Sequence, residues 1–307
     1  MNSPQVFILC RSKKYKVCWS AFIARRLTAL GMPAYRVTPN YNPKHRPENC
    51  KLLINYGCST TPIWWNRLPD DCVILNRPDQ VKVSVDKIMM QQKFEELCPG
   101  KHLEYGLNRV DAQAYLDRGE TVVARTLISS HSGRGIVLSP PNPLPDARLY
   151  TVLKRRRGLR EYRVFLNEGK LMDVVQKKRK TPAKLLELRD CRTPEQARTW
   201  WDDRERQVIR CWDNGWAFCH NNLDCTDDAV FEEIAETAAR ILTWGCVDVL
   251  IDSRTKEFYM VEVNSAPGLD AGNTQHAFIN AFLNIGHRIG IVEFESNSEG
   301  EARGMGD

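Results

Sequence analysis

Two apolar segments near the C-terminal end constrain the fold most strongly: VDVLID at 247–252 and FYMVEVN at 258–264. Both are rich in β-branched and aromatic residues, and the polar sequence SRTKE separates them, which predicts two antiparallel strands joined by a turn. The two-residue period of a strand predicts one purely hydrophobic face, formed by Val247, Val249, Ile251, Tyr259, Val261 and Val263. The turn pairs residue 250 with residue 260, so Asp248 lies opposite Glu262, and Asn264 shares their face.

This acidic face predicts a metal site. Two carboxylates directly opposite each other destabilise a sheet and resist ionising together, and a divalent cation removes both problems. Asp248, Glu262 and Asn264 offer oxygen ligands without histidine or cysteine, which favours Mg²⁺ or Mn²⁺. The alternative is that Asp248 lies at the sheet edge and pairs with an arginine.

The order of apolar patterns along the chain predicts a mixed α/β and α+β protein. Alternating strand and helix patterns predict a parallel α/β unit over 1–78. A helix, a short hairpin with a glycine-containing loop and a proline-rich connector define a central subdomain at 79–145. Longer strands and helices follow in a C-terminal subdomain at 146–290, and residues 291–307 are predicted to be disordered.

Composition narrows the class of protein. The chain is 42% hydrophobic and 27% charged, and it lacks an apolar run of membrane-spanning length, so we expect a cytoplasmic globular protein with no membrane partner. Its eleven cysteines form no CxxC pair, which favours reduced thiols over a zinc site. Residues 154–180 carry eleven lysines and arginines and three acidic residues, a net charge of +8. That segment can bind nucleic acid or an acidic partner, or it can be a solvated face.

VDVLID followed by VEVNSAPGLD resembles the metal-binding end of the ATP-grasp ligases, in the branch that includes glutathione synthetase and the ligase that adds glutamate to a ribosomal protein. Three further segments are similar to family motifs and occur in the family's order: NRPDQVKVSVDKIMMQQKF, VVARTLISSHSGRGIVL and EYRVFLNEGKLMDVVQKKRK. The resemblance spans roughly residues 50–285. It implies an ATP-grasp fold in which two α+β subdomains clasp ATP behind the N-terminal unit.

The resemblance also implies nucleotide-binding residues. Lys87 corresponds to a lysine that binds nucleotide phosphate, and the loop from Ser129 to Gly135 corresponds to the glycine loop that closes over the triphosphate, with Ser132 and Gly133 among its contacts. Leu153 and Lys154 fall near the segment that contacts adenine. This chain departs from the family at Arg125, where a lysine is usual; arginine keeps the positive charge but not the geometry.

The implied reaction is ATP-dependent amide formation. ATP phosphorylates a substrate carboxylate, an amine attacks the acylphosphate, and ADP and phosphate leave. Arg163 and Lys178 match the positions of catalytic cations, and Mg²⁺ at Asp248, Glu262 and Asn264 would bridge phosphate oxygens. The acceptor is expected to be an amino acid, a peptide or a protein tail, and the basic segment favours an acidic one.

Two other functions stay open. The chain can be a nucleic-acid-associated enzyme or binding protein that uses its basic segment, or a catalytically silent module that binds ATP as a structural ligand. Two interpretations also stay open for CHNNLD at 219–224, which can line the acceptor site or form an ordinary turn. His131, in the glycine loop, is expected to be a solvated surface residue.

Overall fold

A computed structural model describes residues 5–12, 18–40, 46–129, 134–154, 158–188, 190–269 and 272–292. Ser132 and Gly133, predicted to contact phosphate, lie outside the described residues, as does His131. Residues 293–307 of the predicted disordered tail lie outside them as well.

The first sheet is parallel, with strands in the order β2-β1-β3-β4. Its elements are β1 (Gln5–Cys10), α1 (Trp19–Ala29), β2 (Ala34–Val37), β3 (Cys50–Tyr56) and β4 (Val73–Leu75). Helix α1 buries Ile23 and Leu27 against this sheet. The strand and helix alternation in the sequence therefore produces the parallel α/β unit that it predicts.

The second sheet is antiparallel, with strands in the order β5-β8-β6-β7, and two helices precede it in the chain. The elements are α2 (Pro78–Val85), α3 (Lys87–Leu97), β5 (Tyr105–Gly106), α4 (Arg109–Asp117), β6 (Val122–Arg125), β7 (Ile136–Ser139) and β8 (Leu149–Val152). Helix α4 covers one face, where Tyr115 packs with Tyr150 and Ala124 in a separate core.

The third sheet is antiparallel and has the order β11-β10-β9-β12-β13. Its strands are β9 (Leu159–Asn167), β10 (Lys170–Arg179), β11 (Trp216–Cys219), β12 (Trp244–Asp252) and β13 (Phe258–Asn264). The accompanying helices are α5 (Pro182–Leu185), α6 (Pro194–Asp202), α7 (Arg204–Val208), α8 (Asp228–Ala239) and α9 (Gly272–Arg288). Helices α3 and α8 share one core with this sheet.

The first and third sheets share a second core. Trp244 is fully buried at its centre and packs edge-on against Phe278 and Phe282 of α9, with ring centroids 5.5 and 5.2 Å away. The buried Asn76 side chain donates to the carbonyl oxygen of Trp244 at 2.7 Å and accepts from its N–H at 3.1 Å. These contacts anchor the N-terminal unit to the sheet that carries the acidic strands.

The three sheets occupy residues 5–75, 105–152 and 159–264. Strand β8 begins at Leu149, beyond the predicted end of the central subdomain at 145, and pairs with β6. The predicted domain boundaries stay predictions. None of the helices in the described ranges is long and apolar enough to span a membrane. All eleven cysteines are free thiols.

A β-bulge changes the predicted hydrophobic face. Asp248 does pair with Glu262, but Val249 pairs with Met260, so Val261 is an extra residue on β13. The prediction that residue 250 pairs with 260 is therefore wrong: Leu250 pairs with Tyr259. The bulge reverses the alternation, so that Phe258 and Met260 enter the core with α8, whereas Tyr259 and Val261 pack beside Leu250 on the other face.

Candidate functional site

A cavity of about 430 Å³ lies between the second and third sheets, and five of the predicted site residues line it. The predicted residues that line it are Arg125 at the end of β6, Arg163 on β9, Asp248 on β12, and Glu262 and Asn264 on β13. They come from four strands of two sheets. The fold therefore brings the predicted metal ligands and two of the predicted cations to one space.

Asp248 is only 5% exposed and is held by two cations. Arg163 donates from Nε to Oδ1 at 2.8 Å and from Nη2 to Oδ2 at 3.0 Å, and Lys177 Nζ donates to Oδ2 at 2.8 Å. Burial opposes ionisation of this carboxyl, but Arg163 and Lys177 more than offset it, so the pKa of Asp248 lies well below its usual range. The carboxylate is thus ionised at neutral pH without a bound metal.

The predicted repulsion between Asp248 and Glu262 is relieved by these protein cations. An arginine partner for Asp248 was the alternative to a metal site, and the structure has that partner, although β12 is an interior strand and not the sheet edge. Glu262 has its own cation, because Lys87 Nζ lies 2.7 Å from Oε1. Lys87 is 4% exposed, in the first turn of α3, whose N-cap is Asp86.

Lys177 extends the buried charge network, and sequence reasoning missed it. Its Nζ also contacts Glu161. The Glu161 carboxylate forms a second ion pair with Arg210, whose Nη1 lies 3.0 Å away. Burial opposes the charge on Lys177, but Asp248 and Glu161 outweigh it and raise the pKa of Lys177 above its ordinary value. Five charged groups on three strands and a loop therefore line one wall of the cavity.

Lys178, the predicted catalytic lysine, lies on the opposite face of β10. Successive side chains of a strand alternate between faces, so Lys177 points into the cavity and Lys178 points away from it. Lys178 instead donates to the carbonyl oxygen of Asn222 and lies 3.7 Å from Asp224. The pairing of Val175 with Arg163 in the structure fixes the face of Lys177, and the sequence carries no signal for choosing between the two lysines.

The oxygen atoms at the cavity suit a divalent ion whose remaining ligands come from a bound nucleotide. Glu262 and Asn264 stand two residues apart on β13 and face the same cavity as Asp248. In the part of the chain that the structure describes, no three His, Cys, Asp or Glu side chains form a metal-binding group. An ion here would therefore depend on the Asn264 amide oxygen and on phosphate oxygens, a mixture that Mg²⁺ accepts.

A narrow cavity of about 90 Å³ adjoins the charged one and contains the predicted adenine segment. Leu153 and Lys154 line it, together with the apolar side chains of Leu103, Val123, Leu250 and Val261. Arg125 and Glu161 line both cavities. A molecule whose flat apolar part lies in the narrow cavity would thus direct its polar part toward the 430 Å³ charged cavity.

The β6–β7 hairpin carries the predicted glycine loop. Thr126 N–H donates to the carbonyl oxygen of Gly135 at 2.8 Å, and Gly135 adopts a φ of +71°. A Cβ at Gly135 would lie 2.8 Å from Leu127 Cγ and 2.9 Å from Thr126 Oγ1. Glycine is therefore required at the end of this loop for both conformation and space. Ser129, at the other end, is exposed.

A third cavity, of about 490 Å³, adjoins the charged one on its other side. The two share Arg163, Trp212, Phe218 and Gly268. The rest of its wall comprises Phe165, Val175, His220 and Thr274. His220 Nδ1 lies 3.2 Å from Asp173 Oδ1, and Thr274 Oγ1 donates to Asp173 Oδ2. The CHNNLD segment thus contributes His220 to a cavity wall.

The connection between α7 and β11 crosses the cleft, and no sequence pattern indicated it. Val208, Ile209 and Arg210 line both the narrow and the charged cavity. Helix α7 is tied to the second sheet's side of the cleft, since Arg204 Nη2 donates to Thr121 Oγ1 at 2.8 Å. The cleft is therefore bounded by this connection as well as by the two sheets.

Ion pairs and ring contacts occupy much of the basic segment at 154–180. Arg160 pairs with Asp224 at 2.7 Å, and Arg163, Lys177 and Lys178 have the carboxylate partners described above. Lys180 Nζ lies 3.6 Å from the centroid of the Trp212 ring. Residues 155–157 lie outside the described residues. The nucleic-acid hypothesis stays a prediction, without support from these contacts.

No protein-family model matches the sequence, and no curated protein matches it. Solved structures match over most of the chain. The ATP-grasp ligase PsnB, solved with a minimal precursor, is 8% identical, with a TM-score of 0.58 and coverage of 92% of this chain and 99% of PsnB. D-alanine–D-alanine ligase from Bacillus anthracis is 11% identical, with a TM-score of 0.55 and coverage of 92% and 98%.

A RimK-domain ATP-grasp protein from Sphaerobacter thermophilus is 13% identical, with a TM-score of 0.52 and coverage of 91% of this chain and 99% of that one. At these identities a structural likeness establishes the fold and not the reaction. The architecture is the one that the sequence resemblance implied. This protein has the ATP-grasp fold.

Proposed function

We propose that the protein is an ATP-dependent carboxylate–amine ligase that works through an acylphosphate and releases ADP and phosphate. The observation that carries this proposal is the row of three adjoining cavities, with buried cations and oxygen ligands in the middle one. The structurally similar PsnB has been solved with a precursor, Mg and ADP. Phosphoryl transfer needs little besides positioning and charge stabilisation, and the middle cavity offers both.

The three cavities suit successive parts of the reactants. The narrow cavity beside Leu153 and Lys154 accepts the adenine ring. The charged cavity accepts the triphosphate, with Arg125 on one wall and Lys177 on the other. The family resemblance implies that the loop from Ser129 to Gly135 covers the phosphates. The apolar cavity on the far side of Arg163 accepts the group to be ligated.

Glu262 and Asn264 would hold Mg²⁺, with Asp248 as a third oxygen ligand when one of its two cations shifts to phosphate. The ion, when bound, supplies positive charge to the phosphate oxygens. Lys87 holds the Glu262 carboxylate in place through its 2.7 Å contact. The buried cations contribute more to charge stabilisation than exposed ones do, because the surrounding dielectric constant is low.

The chemistry then proceeds in two steps. A carboxylate oxygen of the substrate attacks the γ-phosphorus of ATP, the bond to the β-phosphate oxygen breaks, and ADP leaves. Arg163 and Lys177 stabilise the charge on the transferred phosphoryl group and on the acylphosphate. The amine then attacks the acyl carbon, the bond between that carbon and the phosphate oxygen breaks, and an amide and inorganic phosphate form.

Adjacent lysines on β10 give a matched pair of variants to test this proposal. Mg-ATP is incubated with a panel of N-acetylated amino acids as carboxylates and with primary amines, and ADP and phosphate are followed by phosphorus NMR. We expect Lys177→Met to lose at least about 100-fold in turnover, as removal of one preorganised charge does elsewhere, and Lys178→Met to retain it.

Folding of both variants is checked by circular dichroism and by binding of ATP. Equal losses in the two variants would contradict the choice of Lys177 over Lys178, and a loss confined to Lys178→Met would favour Lys178, as the sequence predicted. ATP binding by the wild-type protein without release of ADP for any substrate pair would contradict the ligase proposal and favour the silent module.

A further inference from the structure

We infer that the 490 Å³ cavity binds the amine substrate, a primary amine with an apolar side chain, and that His220 removes the proton from its ammonium group. This inference rests on the proposed ligase function and deepens it. Nothing in the fold as such requires a histidine at this place. The inference depends on four features of this chain: the cavity's walls, its link to the charged cavity, the Asp173 contact and the register of β10.

The walls of the cavity define the class of amine. Phe165 and Val175 are at most 3% exposed and form its floor, and Phe218 and Trp212 form its sides. A volume of 490 Å³ is in the range of small-molecule sites, which are mainly apolar with a few polar groups that orient the ligand. Here the polar groups are Arg163, His220 and Thr274. An aromatic or branched aliphatic side chain therefore suits this cavity better than a charged one.

Asp173 sets the chemistry of His220. The carboxylate lies 3.2 Å from Nδ1, and Thr274 holds its other oxygen. A carboxylate accepts only, so in the neutral ring the proton resides on Nδ1 and Nε2 becomes the acceptor. The negative charge of Asp173 also favours a cation at this end of the cavity. His220 is thus placed to accept a proton from an ammonium group, with Asp173 as a positioning residue.

The strand register places His220 beside the site of acyl transfer. Val175 pairs with Arg163 on one side, and Gln176 pairs with Cys219 on the other, so His220 follows opposite Val175. Two strand spacings separate His220 from Arg163, about 10 Å between backbones. Both side chains line the same cavity. A substrate amine between them can lie against His220 while its nitrogen points toward an acylphosphate held near Arg163.

The proposed step conserves atoms and charge. The ammonium group transfers one proton to His220 Nε2, which gives a neutral amine and an imidazolium. The amine nitrogen attacks the acyl carbon, and the bond from that carbon to the phosphate oxygen breaks. The second nitrogen proton leaves with the phosphate, and the imidazolium later releases its proton to water. Among the residues that the structure describes, the charged groups that face His220 are Asp173 from β10 and Arg163 from β9, while α9 contributes the uncharged Thr274.

Hydroxylamine distinguishes the inference from the proposed function. Its nitrogen is mostly unprotonated at neutral pH, so it traps an acylphosphate without a base. 2-Phenylethylamine, like a lysine side chain, is almost fully protonated there and needs one. The assay uses Mg-ATP, the panel of N-acetylated amino acids, and hydroxylamine, ethylamine or 2-phenylethylamine as acceptor. Hydroxamate formation reports the first step, and amide formation reports both steps.

We expect His220→Gln to form hydroxamate within about twofold of the wild-type rate and to form the phenylethylamide 10²- to 10⁴-fold more slowly, the usual contribution of a general base. Its amide rate should rise about tenfold per pH unit toward the pKa of the amine, because only free amine then reacts. His276→Gln, at an exposed position of α9, is the control and should leave both rates unchanged. We also expect kcat/KM to be at least about tenfold higher for 2-phenylethylamine than for ethylamine.

Each contrary result has a separate meaning. Hydroxamate formation together with an unchanged amide rate in His220→Gln would overturn the role of His220. Equal kcat/KM for ethylamine and 2-phenylethylamine would overturn the apolar acceptor class. Absence of hydroxamate in the wild-type protein would overturn the proposed function, and the inference with it.

Discussion

Replacement of Asp248 by asparagine tests whether the buried ion pairs stabilise the fold. The change keeps the shape of the side chain but leaves Arg163 with an uncompensated charge in a buried position. Breaking such a pair by removing one partner costs about 3–5 kcal/mol. We expect the lower end, about 3 kcal/mol, because Lys177 keeps its contact with Glu161. With an unfolding entropy of about 2.1 cal/mol/K per residue, the melting temperature of this 307-residue chain should fall by about 5 °C.

Thermal unfolding followed by circular dichroism measures this loss. The depressed pKa of Asp248 means that its stabilisation is complete above the ordinary aspartate pKa of about 3.9 and is lost as the pH falls through the lower folded-state pKa. The difference between variant and wild type should therefore be constant from about pH 5 to pH 8. The double variant Asp248→Asn/Arg163→Met should lose less than the two single losses combined, because the uncompensated cation is gone.

The exposed Arg118–Glu104 pair, at 2.7 Å, is the matched control, and Glu104→Gln should cost less than about 1 kcal/mol. A loss below about 1 kcal/mol in Asp248→Asn, or strictly additive losses in the double variant, would refute the claim that this ion pair is buried and coupled.

Substitutions at three further positions test the cleft. Glu262→Gln should abolish Mg-ATP turnover and also lower the free energy of unfolding by about 1–3 kcal/mol, since it leaves the buried Lys87 without its partner; unchanged ADP release would contradict the site. Gly135→Ala should raise KM for ATP several-fold, because a φ of +71° and contacts under 3 Å displace the hairpin; an unchanged KM would argue against its contact with phosphate. Arg125→Lys should change KM for ATP less than Arg125→Met does, and equal effects would show that charge at Arg125 is not used.

Sequence patterns predicted which side chains meet at the acidic strands. The predicted pairing of Asp248 with Glu262 is present in the structure, because the bulge at Val261, next to Glu262, offsets a turn register that is one residue away from the predicted one. Arg125, which the family resemblance assigns to nucleotide binding, lines the same cavity as the side chains on the acidic strands. The roles of these residues in catalysis and metal binding remain predictions that the experiments above test.

Other features could not be predicted because they depend on register between distant segments. The choice between Lys177 and Lys178 depends on which β10 residue pairs with Arg163, and adjacent lysines carry no signal for it. The bulge at Val261 changes the face that four side chains occupy, those of Phe258, Tyr259, Met260 and Val261, although neither its sequence nor its neighbours mark it. The sequence shows His220 as a residue of CHNNLD, but only the structure shows that Asp173 contacts its Nδ1 and so orients the ring.

The sequence by itself determined the strands, the class of fold and the presence of carboxylate and amide side chains on one strand face, because these depend on periodicity over fewer than about ten residues. The tertiary structure alone decided what neutralises the acidic side chains. Arg163 is 85 residues from Asp248 in the chain, and Lys177 is 71 residues away. Such pairs form when hydrophobic burial brings strands together. The low dielectric constant of the interior then strengthens the attraction between the paired charges.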